Sequence, residues 1–247
     1  MSLLTIAIVG LAMPTAMPNF PVTRQTPIPA LWLRPDGKTT IDGQLVQPKI
    51  LSGTRLVRMN GVTAYDFDGN KGGLLFGDAP ALRLTGSMTV SAWIKLRGYV
   101  EQGPGAQVLF RGDDRNGLDP YTMAIHGDGS VNFGISDENA LGRSVGAEIP
   151  LQKWTHILAN FDAESGRLEM WMDGELVGMA KTQYRPFAGL DKGFAPGVSI
   201  GNVQNDTGPH NQPLNGYLAD VRLYRSVLRP EDLNLGTGGW VEPPNKR

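Results

Sequence analysis

Residues 154–177 read WTHILANFDAESGRLEMWMDGELV: two alternating apolar runs joined by a short polar loop, the second closed by Asp173-Gly174. Apolar and β-branched residues at period two, punctuated by turn residues, specify antiparallel strands rather than a helix. The Asp-Gly pair supplies the positive φ values that a two-residue type I′ hairpin needs. The segment carries no catalytic constellation, so it constrains architecture and leaves function open.

The same pattern recurs along the chain. Strands are expected at residues 30–33, 62–67, 74–76, 88–96, 108–110, 121–126, 130–135, 198–201 and 216–224. In the longest, Met88, Val90, Ala92 and Ile94 share one face, and Thr89, Ser91, Trp93 and Lys95 the other. Gly127-Asp128-Gly129 marks another hairpin. Pro230 followed by Glu231 and Asp232 suits the start of a single helical turn. With 32 glycines and 18 prolines in 247 residues, the composition fits many short strands joined by tight turns. The expected fold is all-β, an antiparallel two-sheet sandwich over residues 31–235, with an irregular tail at 236–247.

Composition removes several function classes. A formal net charge of −1 and scattered cations give no field that recruits nucleic acid. The absence of cysteine excludes a disulfide framework, a zinc-thiolate site and thiol catalysis. Residues 3–13 form an apolar run of signal-peptide length, but the first cation, Arg24, lies beyond it. The run is shorter than the roughly 20 residues that span a bilayer. Pro14, Pro18, Pro21, Pro27 and Pro29 favour an extended chain. Residues 1–30 are therefore expected to be an arm that docks on a protein partner or neighbouring subunit, or else a signal segment.

Taken in order, the segments YDFDGN, LTGSMTVSAWIKL, IHGDGSVNFGI, residues 149–178, VSIGN and NGYLADVRLYRSVLRPEDL resemble the laminin-G-like, concanavalin A-like jelly rolls. The resemblance covers roughly residues 62–233. It departs at Ala219, where members often carry a polar residue, and in extended loops near 104–105 and 207–213. It implies a jelly-roll sandwich and a binding mode more than an activity, because one fold hosts many functions.

Glucanases of this fold carry E-x-D-x-x-E or E-x-D-x-E on one strand, and no glutamate here starts such a spacing. No G-x-S-x-G elbow is present, and His126, His156 and His210 form no site by spacing. His156 shares a strand face with Trp154 and Leu158 and reads as structural. The chain is therefore expected not to be an enzyme.

The resemblance implies a structural Ca²⁺ beside Asp68 and the final-strand acid Asp220, whose hard oxygens suit that ion. The loop 111–119 offers Arg111, Asp113, Asp114 and Asn116, and the loop 202–215 offers Asn205, Asp206, His210 and Asn211, as ligand-binding groups. Amides and carboxylates of this kind bind sugar hydroxyls. Trp32, Tyr184 and Trp240 are candidate stacking platforms, and Trp93, Trp154 and Trp171 candidate core residues.

The first functional expectation is a non-enzymatic structural and binding component of a larger assembly, such as a virion decoration or tail protein. The arm motivates it. Its location would be the virion or outside the cell, and the cytoplasm before assembly if no signal is cleaved. The alternative is a secreted glycan-binding, lectin-like module. A polysaccharide hydrolase or lyase stands third.

Overall fold

Period-two alternation is realised as seventeen strands among the described residues. The computed structural model describes residues 26–59, 62–99, 105–113, 115–203 and 211–233. Most of the expected arm, the tail, Asp114, Asn205, Asp206, His210 and Trp240 lie outside that set. In chain order the strands are β1 (Leu31–Leu33), β2 (Thr39–Ile41), β3 (Gln44–Val46), β4 (Lys49–Ile50), β5 (Thr54–Met59) and β6 (Val62–Asp68). Then come β7 (Leu74–Gly77), β8 (Met88–Leu96), β9 (Ala106–Gly112), β10 (Tyr121–Ile125), β11 (Ser130–Ser136) and β12 (Gly142–Glu148). The last are β13 (Thr155–Asp162), β14 (Arg167–Met172), β15 (Glu175–Lys181), β16 (Gly197–Ile200) and β17 (Asn215–Tyr224), followed by one 3-10 turn at Pro230–Leu233.

These strands form two antiparallel sheets. The larger runs β15-β14-β13-β8-β17-β1-β2-β3, with β6 on the first half of β17 and β5 on β6. The smaller runs β12-β11-β10-β9-β16-β7-β4. Between the sheets, Met88, Val90, Ala92 and Ile94 of β8 and Ile157, Ala159 and Phe161 of β13 join one apolar core with Met123 and Ile125 of β10 and Val131, Phe133 and Ile135 of β11. Burying each of the larger side chains, the alanines aside, contributes about 1.5–3 kcal/mol.

Turn chemistry matches the sequence. Asp173 and Gly174 adopt φ 50° and 89°, as a type I′ hairpin requires. Asp42-Gly43, at φ 48° and 76°, makes the same kind of turn between β2 and β3, a pair absent from the expected strands. That region was harder to read because its strands are three residues long and β3 is largely exposed.

The outer face of the larger sheet is covered rather than solvated. Asn160 donates through Nδ2 to the Leu228 carbonyl at 2.8 Å, and Leu228 N donates to Thr89 Oγ1 at 2.9 Å. Leu228 and Leu233 pack there against Leu158, Tyr224 and Trp171. The expectation that Trp93, Trp154 and Trp171 belong to the core is refined accordingly. They lie in satellite clusters on this outer face, with Trp154 buried and the other two partly so. His156, 2% exposed, lies 2.9 Å through Nε2 from Ser91 Oγ and against the Trp93 ring, in the structural role its position suggested.

Candidate functional site

The outer face of the smaller sheet is built differently, and its sequence explains why. On β11 the inward residues Val131, Phe133 and Ile135 are buried, so Ser130, Asn132, Gly134 and Ser136 face outward. The register aligns these with small or polar residues on the neighbouring strands. One row across four strands reads Phe110, Thr122, Gly134, Ser144. The next reads Gln107, Ala124, Asn132, Gly146. Gly146 leaves room for its neighbour: a Cβ there would come within 1.9 Å of Asn132 Oδ1. Missing bulk in both rows produces a cavity of about 170 Å³, to which Asp119, His126 and Gln212 also contribute.

Two loops frame this cavity. The segment before β17 is pinned by Asn202, fully buried, whose Oδ1 accepts from Gln212 N at 2.7 Å and from Val203 N at 2.8 Å. Gln107 Nε2 donates to Gln212 Oε1 at 2.6 Å and to the Gly105 carbonyl at 3.2 Å. Gln107 is 4% exposed, yet its Oε1 has no hydrogen-bond partner. At the other end, Asp119 lies over Gly112, where a Cβ would meet Asp119 Oδ1 at 2.2 Å and the Phe110 ring at 2.6 Å. Burial, helped by the charge of Asp113, pushes the Asp119 carboxyl up to about 7.

The expected ligand residues of loop 111–119 take other places. Arg111 is fully buried and donates to the carbonyls of Phe187 and Ala188 at 2.9 and 2.6 Å, with Asp78 Oδ1 at 3.1 Å. Asp113 is buried against Arg115 at 2.6 Å and accepts from Asp191 N at 2.9 Å. Burial raises its pKa, but those donors outweigh burial and hold it below the ordinary value. Asn116 is exposed. Asn211 bonds Asn202 Nδ2 and the Asn70 carbonyl. Asp119 and Gln212, from the same two loops, are the groups that reach the cavity. Gln107, Thr122, Asn132 and Ser144 were not singled out from sequence. Their signal is the run of small or polar residues on the outward face of consecutive strands.

Asp68 and Asp220 do not converge. Asp68 stands opposite Asn215, five positions before Asp220 on β17. Its exposed carboxylate accepts from the N–H groups of Asn70, Lys71 and Gly72 at 2.9, 2.8 and 3.0 Å. Burial opposes ionisation, but these backbone donors outweigh it and hold the carboxyl below its ordinary value. Asp220, 2% exposed, is bound to Arg222 at 2.6 Å and to Trp32 Nε1 at 2.7 Å. Among the described residues no group of three or more His, Asp or Glu could hold a metal. The Trp32 ring lies beneath the guanidinium groups of Arg34 and Arg222, and Tyr184 lines a separate shallow site with Arg143 and Lys181.

Retaining glycoside hydrolysis needs two carboxylates about 5 Å apart on either side of the scissile bond. Asp119 reaches the cavity, and Asp113, the acid whose charge acts on it, is buried and paired with Arg115. No helix among the described residues is long and apolar enough to cross a membrane.

Comparison with known proteins agrees with this architecture. The chain is 32% identical over 119 residues to C-reactive protein of Mesocricetus auratus, covering 45% of this chain and 48% of that one. It is 34% identical over 106 residues to C-reactive protein of Rattus norvegicus, covering 40% and 42%. The chain thus spans about half the length of the curated relatives it matches. Its fold superposes on the binding domain of botulinum neurotoxin DC in complex with SialylT at a TM-score of 0.56 and 12% identity, covering 84% of this chain and 50% of that one. It also superposes on the Ruminococcus gnavus IT-sialidase CBM40 bound to α2,3-sialyllactose at a TM-score of 0.54 and 15% identity, covering 69% and 93%. Residues 68–234 match the profile described as concanavalin A-like lectin/glucanases superfamily, and the chain belongs to that superfamily.

Proposed function

We propose that this chain is a non-enzymatic, glycan-binding module whose saccharide site is the cavity on the outer face of the smaller sheet. The observation that carries the reading is the lining itself. Hydroxyls of Thr122 and Ser144, amides of Gln107, Asn132 and Gln212, and the Phe110 ring surround one depression. A sugar ring offers donors, acceptors and an apolar C–H face, and this set answers each of them. The unpartnered Oε1 of buried Gln107 supplies an acceptor that a ligand hydroxyl would satisfy. At about 170 Å³ the cavity is below the ~300 Å³ typical of drug-sized sites, which suits one sugar ring or a chain end. Glycan complexes of structural neighbours, with SialylT and with α2,3-sialyllactose, support the reading.

Secretion and an assembly role would both be carried by the arm at residues 1–30, most of which lies outside the described residues. The glycan reading needs neither. Its test is a glycan array probed with the full chain: binding to a defined subset of glycans is expected, and silence across a diverse array would overturn it.

A further inference from the structure

The cavity has one feature that a generic sugar site does not need: an acid without a counter-charge. Among the described residues Asp119 reaches it with no side-chain hydrogen bond, and burial and the charge of Asp113 both disfavour its charged form. Arg111 and Arg115 are already engaged. Arg115 Nη2 is 2.6 Å from Asp113 Oδ2, and Arg111 is turned to Asp78 and two backbone carbonyls. Among the described residues the cavity's only basic side chain is His126, with no lysine or arginine, and the charge of Asp113 adds to the negative potential on Asp119. Above about pH 7, where Asp119 is ionised, an acidic sugar placed here would meet a carboxylate of like charge and no guanidinium to receive it.

A second, independent group points to a hydrogen-donating ligand. Gln107 Oε1, on a side chain 4% exposed, is an acceptor with no donor. Its own amide nitrogen is already used on Gln212 and Gly105. Asp119 and Gln107 line one cavity, and each carries an acceptor with no donor among the described residues, which a donor-bearing ligand would meet.

Resting on the glycan-binding reading above, the geometry points to a glycan bearing a free amino group, a hexosamine whose ammonium is received by Asp119, as the ligand class of this cavity. An ammonium supplies three donors and a charge that offsets Asp119. An N-acetylated sugar loses that charge, and a sialylated one reverses it. This sets the chain apart from neighbours whose bound glycans carry sialic acid, although the folds superpose.

The test is calorimetric titration of the full chain, and of Asp119→Asn, with a glucosamine oligosaccharide, its N-acetylated counterpart and α2,3-sialyllactose. The wild-type chain is expected to prefer the free amine at least tenfold over the N-acetylated form and to bind sialyllactose weakest. Asp119→Asn, nearly isosteric, is expected to erase the preference while its melting midpoint shows a folded chain. Gly112→Ala, whose Cβ would displace the Asp119 carboxylate, is expected to do the same. A preference that survives Asp119→Asn, or sialyllactose bound as tightly as the amine, would overturn the inference. Binding of neutral glycans without amine preference would overturn it too, leaving the glycan-binding reading intact. Silence toward every glycan would overturn both.

Discussion

Gln107 and Gln212, 105 positions apart, are joined side chain to side chain at 2.6 Å, with Gln107 N also donating to the Gln212 carbonyl at 3.0 Å. The pair ties the floor of the cavity to the segment leading into β17. It holds one donor in place and leaves Gln107 Oε1 buried without a hydrogen-bond partner. Removing the second partner should cost little stability but loosen the site. Gln212→Ala is expected to lower unfolding free energy by about 1 kcal/mol and to weaken glycan binding several-fold. Urea unfolding alongside titration measures both.

Asp119 carries a pH signature with a definite sign. Its folded pKa, about 7, exceeds the ordinary 3.8, so the folded chain favours the protonated acid. Stability from this group is full below about 3.8 and is lost as pH rises toward 7. Asp119→Asn is therefore expected to stabilise the chain by about 1–2 kcal/mol near pH 8, a value discounted for partial exposure, and by nothing near pH 4. Denaturant midpoints at the two pH values check it. An equal effect at both would contradict the assignment.

His156 works in the opposite direction. Burial pulls its pKa down to about 4 from 6.5; Asp220 and Asp173 oppose the shift and Arg222 reinforces it. The unfolded chain then binds the extra proton, so stability is fully present above 6.5 and is lost as pH falls toward 4. The loss should total about 3 kcal/mol. His156→Gln should start less stable at neutral pH and flatten this acid limb, which a pH series of urea midpoints reads directly.

Arg111 separates stability from binding. The fully buried guanidinium is held by two carbonyls and Asp78, so Arg111→Met strips several buried groups of their partner at once. A loss of about 3–5 kcal/mol is expected. At temperatures where the variant stays folded, glycan affinity should remain near that of the wild-type chain. Normal stability with lost binding would instead make Arg111 a ligand contact.

Asp68 and Asp220 are occupied by the chain's own donors, three backbone N–H groups for one and Arg222 with Trp32 for the other. Added Ca²⁺ should leave the melting midpoint unchanged, and EDTA should do the same. A rise of several degrees with Ca²⁺ would show a metal bound to the native state.

The fold was largely legible because its central strands alternate cleanly. Residues 88–96 read correctly at both ends, and the hairpin at Asp173-Gly174 declares its own turn. β12 escaped because Gly142–Glu148 is a polar strand at the edge of its sheet with only Val145 buried. The cavity was less legible for a physical reason. Its floor is two rows of residues drawn from four strands, adjacent only across hydrogen-bonded registers that no local pattern encodes. Small polar residues such as Thr122 and Ser144 also look like any solvent face. Loops 111–119 and 202–215 were recognised as polar, but their convergence through Asp119 and Gln212 appears only once the chain is folded.

Glycan binding on the smaller sheet is tested most directly at Asn132. Its side chain lines the floor, on a strand whose buried residues face the other way. Calorimetric titration of the wild-type chain and Asn132→Ala with a glycan bound on the array should show affinity falling at least tenfold, with the melting midpoint little changed. Unchanged affinity in Asn132→Ala would place the saccharide elsewhere and contradict the account.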